Sequence, residues 1–63
     1  MKSYVDYVYD IVKVESLGLD SIYGDYIQSI VGVFGLNALL GANLLESCAV
    51  INGRRLYVLV DKD

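Results

Sequence analysis

Asn52-Gly53 is the most constraining pair of residues in the chain. A two-residue Asn-Gly connection supplies the positive φ that both central positions of a type I′ turn require, and that turn has the twist of an antiparallel hairpin. It is flanked by Ser47 to Ile51 and by Arg54 to Val60, both rich in residues that favour strands. Residues 44–60 therefore read as a hairpin, and the turn dictates its register. Ile51 opposes Arg54, Val50 opposes Arg55, Ala49 opposes Leu56, Cys48 opposes Tyr57 and Ser47 opposes Val58. One face then carries Leu45, Ala49, Ile51, Leu56, Val58 and Val60; the other carries Leu44, Cys48, Val50, Tyr57 and Leu59. A hairpin with one face in water alternates apolar with polar residues. This one is apolar on both faces over most of its length.

The preceding residues read as helices. In Ser3 to Glu15 the polar residues Ser3, Asp6, Asp10 and Lys13 recur at spacings of three and four, opposite a stripe of Tyr4, Tyr7, Val8, Ile11 and Val12. Ser3 is a suitable N-cap, and Gly18 supplies a left-handed residue to end the helix. The Val, Tyr and Ile content leaves a strand as the competing reading of this segment. A second helix opens at Asp20 as N-cap and spaces Tyr23, Ile27, Ile30, Val31 and Phe34 along one side, with Gly32 and Gly35 bracketing its end. Residues 35–43 read as a short third helix, with Leu36, Leu39 and Leu40 inward and its end near Gly41 or Asn43. The tight connection over 32–35 has the length of a helix-turn-helix corner. The expected fold is one small α+β domain over 1–63: two or three short helices followed by a C-terminal β-hairpin.

Size makes the two-faced hairpin significant. The chain has 63 residues, 56% of them hydrophobic, with one cysteine and no histidine. A domain of about 60 residues removes only about 60% of its unfolded surface from water and commonly needs a disulfide, a metal or a partner. Cys48 alone closes no intrachain disulfide, and without histidine or a second thiolate there is no zinc-type ligand set. A second copy of the chain is the economical cover for the remaining apolar surface, by sheet packing or edge pairing about a two-fold axis. The expected partner is thus the chain itself, as a homodimer sharing Ala49, Ile51, Leu56, Tyr57, Val58 and Val60. In the competing arrangement the first helix lies on the far side of the hairpin.

Little in the sequence points to chemistry. Absence of histidine removes Ser-His and Cys-His nucleophile pairs. Asp6 and Asp10 share a helix face but have Lys2 and Lys13 within reach, which makes a charge-paired solvated stripe. Asp20 and Asp25 suit a cap and a surface charge, and the oxygen-rich spacing of a calcium loop is missing. Gly32-Val33-Phe34-Gly35 lacks the lysine and hydroxyl of a phosphate-binding loop. Cys48 reads as a small buried hydrophobe, and the six tyrosines as core or interface residues. The expected protein is non-enzymatic, with no cofactor and no metal.

Charge and hydropathy bear on partners. The net charge is −3, which gives no general attraction to phosphate backbones. Arg54 and Arg55, the only adjacent basic pair, lie just after the turn, where they could meet phosphates or an acidic partner or keep an exposed tip soluble. Tyr26 to Leu45 carries no charge and is long enough to span a bilayer. Gln28, Ser29, Asn37, Asn43 and three glycines interrupt it, and its flanks are Asp25 and Glu46, so a packed domain is preferred. A membrane peptide spanning 26–45 remains the weaker alternative. The N-terminal residues lack the apolar stretch of a secretory signal, and the expected location is cytoplasmic.

Leu39-Leu40-Gly41-Ala42-Asn43-Leu44-Leu45-Glu46, followed by Asn52-Gly53-Arg54-Arg55-Leu56-Tyr57-Val58-Leu59-Val60, resembles the C-terminal half of a winged helix-turn-helix domain over residues 35–60. The resemblance implies a winged-helix-like fold, with Arg54 and Arg55 at the wing against DNA backbone and the third helix as recognition helix. Base readout needs Arg, Lys, Asn, Gln or Ser on that helix, and residues 36–42 offer only Asn37, with Asn43 at the end. The leading functional expectation is therefore a self-associating protein-interaction module, with a DNA-binding transcriptional regulator as the alternative.

Overall fold

The computed structural model describes residues 2–19 and 21–61. They form α1 (Tyr4–Glu15), β1 (Ile22–Tyr23), α2 (Gly24–Gly41), β2 (Leu45–Ile51) and β3 (Arg54–Leu59). The fold is α+β, with an antiparallel three-stranded sheet in the order β1-β3-β2.

The first segment is helix and not strand. Ser3 caps α1 from an extended conformation, its hydroxyl accepting the Asp6 N–H at 3.2 Å. Asp6 in the first turn and Lys13 in the last suit the helix dipole. The helix ends with two left-handed residues, Leu17 (φ 54) and Gly18 (φ 78), where Gly18 alone was expected.

Gly32 breaks α2. Its φ of 77 and ψ of 173 lie in a region reserved for glycine, separating a helical stretch over 24–31 from one over 33–41. The corner expected over 32–35 thus contracts to a single residue. Gly35 serves a different purpose: a Cβ there would lie 2.7 Å from Val31 Cβ and 3.3 Å from Val8 Cγ1, so glycine lets the two halves of α2 close up across the break, with Val8 of α1 packed at the same point. The expected cap Asp20 lies outside the described residues. Tyr23 occupies the N-cap of α2 and makes no side-chain capping bond.

β1 was not expected from the sequence, which reads as helix there. Its two residues pair with the central strand, Ile22 with Tyr57 and Tyr23 with Leu56. The hairpin turn has the expected geometry, with Asn52 at φ 53 and Gly53 at φ 77. The pairs Ile51–Arg54, Val50–Arg55 and Ala49–Leu56 form as expected. The register then shifts between Ser47 and Ala49, so that Ser47 pairs with Tyr57, Glu46 with Val58 and Leu45 with Leu59. The expected pairs Cys48–Tyr57 and Ser47–Val58 are therefore corrected. Cys48 is the extra residue of a bulge, and a one-residue slip moves every later side chain to the other face. Leu45 passes to the face of Tyr57 and Leu59, where it is 4% exposed. Cys48 is exposed, not the buried hydrophobe expected.

The core comprises Val8, Tyr9 and Val12 of α1, Ile27, Leu36 and Leu39 of α2, and Ile22, Leu45 and Tyr57 of the sheet. Complete burial of a side chain such as Leu39 or Ile27 contributes about 1.5–3 kcal/mol. The polar groups in this core are satisfied. Tyr9 donates its hydroxyl to the Val60 carbonyl at 2.8 Å, and the buried Ser16 hydroxyl donates to the Lys13 carbonyl at 3.1 Å. Gly24 admits the Tyr57 ring, whose Cε2 would stand 2.9 Å from an added Cβ.

Both helices pack into one core on the face of Ile22, Leu45 and Tyr57, so α1 does not cover the far side of the hairpin. Among the described residues no helix is long and apolar enough to cross a membrane. The 26–45 span is thereby corrected: Gly32 divides the uncharged run, α2 stops at Gly41, and Leu45 belongs to β2.

Candidate functional site

Strand alternation assigns the opposite face of the sheet. Tyr23 pairs with Leu56, Leu56 with Ala49, Arg54 with Ile51 and Val58 with Glu46, which places these seven side chains together. All of them retain solvent exposure. Apart from Arg54 and Glu46 the surface is apolar and aromatic.

Arg54 is already occupied within the chain. Its Nε donates to Asp25 Oδ2 at 2.9 Å, and its guanidinium carbon lies 4.1 Å from the Tyr23 ring centroid. The ion pair is exposed on both sides, which limits it to about 0–1 kcal/mol. The stacking contributes about 0.5–1 kcal/mol. The Asp25 carboxylate offsets the charge, and the stack on Tyr23 holds a flat aromatic–guanidinium surface next to Leu56. Arg55 is exposed on the alternate face of β3 and has no ion-pair partner among the described residues.

Where β1 meets the loop that follows α1, the uncovered face deepens into an open concavity of about 510 Å³, lined by Leu19, Ser21, Ile22, Tyr23, Tyr26, Arg54 and Leu56. The Tyr26 hydroxyl donates to the Glu15 carbonyl at 3.1 Å, tying the start of α2 to the end of α1 behind this concavity.

Of the six residues expected at an interface, Ala49, Ile51, Leu56 and Val58 share the uncovered face. Val60 follows β3, with its N–H donating to the Leu44 carbonyl at 2.9 Å. Tyr57 lies on the covered face, 7% exposed, and belongs to the core. Tyr23, Tyr26 and Leu19 join the surface without having been expected there. Ile22-Tyr23 carries no strand signal beyond two β-favouring residues inside a helical spacing.

Elsewhere Lys2 pairs with Asp10, in keeping with a charge-paired stripe on α1. Among the described residues no group of three or more His, Cys, Asp or Glu could hold a metal ion. On the helical stretch 33–41 the exposed positions include Val33, Phe34 and Asn37, a surface with one base-reading side chain. No family model, no curated protein and no solved structure matches this chain.

Proposed function

We propose that the protein is a non-enzymatic, self-associating protein-interaction module that binds a second copy through the uncovered face of its sheet. The carrying observation is the contiguous set Tyr23, Ala49, Ile51, Leu56 and Val58 on the sheet face away from the helices, where Ile51 is exposed and the other four are half-buried. Contiguous apolar surface of this kind on a small domain is characteristic of an interface. Face packing is preferred to edge pairing because the long free edge, β2, carries a bulge at Cys48, and bulges twist edges away from further pairing. An exposed free thiol suits the reducing cytoplasm.

The winged helix-turn-helix likeness of residues 35–60 is supported by the order of elements: two helical stretches meeting at Gly32, then the β2–β3 hairpin. In that reading 33–41 is the second helix of the pair and Asn52-Gly53 the wing tip. A DNA-binding regulator is the second reading, favoured by exposed Arg55 beside that tip. The occupied Arg54 and the apolar solvent side of 33–41 rank it below self-association.

Light scattering from low micromolar to about 500 µM tests the first reading. A mass twice the 7.0 kDa chain supports it, and 7.0 kDa throughout removes it. Retention on duplex DNA at about 50 and 200 mM salt tests the second, since phosphate contacts give a steep loss over that range.

A further inference from the structure

Leu17 is the most conspicuous side chain outside the core. It adopts φ 54, a left-handed conformation that glycine or asparagine occupies at far lower cost than a γ-branched residue. Its side chain packs on nothing to offset this, being 88% exposed. Leu19, two residues on, is 64% exposed and lines the concavity beside Tyr23, Tyr26 and Leu56. An exposed apolar side chain thus stands two residues along the chain from the lining of an apolar hollow, and a knob and a hollow on one chain are what a two-fold contact can use reciprocally.

We propose that Leu17 of each chain seats in the concavity of a second copy, between Tyr23, Tyr26 and Leu56, and anchors a two-fold dimer. This rests on the self-association reading and names the residue that completes the surface. Area supports a second copy as the occupant. Taking about 200 Å² each, the middle of the aromatic range and an upper figure for leucine and isoleucine, Leu17, Leu19, Tyr26 and Ile51 at 88%, 64%, 43% and 42% exposure present at most about 470 Å². Tyr23, Leu56 and Val58 add to this, approaching the roughly 600 Å² per partner of a small specific interface. Charge agrees as well. Asp25 neutralises Arg54 at the rim of the concavity, so two copies meet there without an excess of like charge.

The test uses Leu17→Gly and Leu17→Asn, both compatible with the left-handed backbone, in sedimentation equilibrium from about 1 to 500 µM with circular dichroism of each variant. The proposal expects wild type to dimerise and both variants to dissociate at least about tenfold more readily, as for loss of a central anchor. It also expects the Leu17→Gly monomer to melt no lower than the wild-type monomer, because the strain is gone. If wild type dimerises and both variants match it, the anchor is wrong and self-association stands. If wild type stays a monomer over the whole range, both fail.

Discussion

Arg54 bridges Asp25 and Tyr23: its Nε reaches Asp25 Oδ2 at 2.9 Å while its guanidinium carbon stands 4.1 Å from the Tyr23 ring centroid. The arginine that the sequence offered as a contact for phosphate is thereby drawn onto its own sheet. In a double-mutant cycle of Asp25→Ala and Arg54→Ala, chemical denaturation should give a coupling of about 0.2–1 kcal/mol that shrinks as salt rises, the behaviour of an exposed pair.

Occupation of Arg54 also bears on nucleic acid. Wild-type protein should show no retention on duplex DNA at about 50 mM salt, leaving nothing for an Arg54→Ala, Arg55→Ala variant to remove. Salt-sensitive retention lost in that variant would place the regulator reading first.

Three glycines should respond to alanine in different ways. Gly32→Ala forces a glycine-only backbone and should cost about 1–3 kcal/mol. Gly35→Ala drives a methyl against Val31 across the α2 break and against Val8 of α1, and should cost about 1–3 kcal/mol through overpacking. Gly41 has helical backbone and nothing within 4 Å of an added Cβ, so Gly41→Ala should stabilise by about 0.5–1 kcal/mol. Urea denaturation of the three variants measures all of these on one scale.

The bulge gives a prediction about Cys48. An exposed thiol on an extra residue should react with a disulfide reagent in the folded protein at a rate close to that of the unfolded chain. Cys48→Ser should change stability by less than about 0.5 kcal/mol. A buried thiol would be protected until unfolding.

These contrasts follow the division between what was legible in the sequence and what was not. The turn and the three pairs nearest it are local consequences of Asn52-Gly53, and they read directly. The bulge is not local, because it exists to bring Leu45 into a core whose other members are Val8, Ile27 and Tyr57. β1 was hidden for a related reason. Ile22 and Tyr23 continue a helical spacing, and only pairing with Tyr57 and Leu56 makes them a strand. Gly32 and Gly35 together marked a corner, although one makes the break and the other admits Val8. At the surface, alternation alone grouped Ala49, Ile51, Leu56 and Val58 and set Tyr57 on the other face, while helix packing decided that the Tyr57 face is the inner one and pairing of β1 with β3 turned Tyr23 outward.

The central claim is that a second copy covers the Tyr23, Ala49, Ile51, Leu56 and Val58 face. Hydroxyl-radical footprinting at about 1 and 500 µM protein measures this directly, with Phe34 and Val33, exposed on the helical side, as internal controls. The account predicts that oxidation of Tyr23, Ile51 and Leu56 falls as concentration rises while Phe34 and Val33 stay unchanged. Protection of Phe34 and Val33 with the sheet face unaltered, or no dependence on concentration at any of these residues, would contradict it.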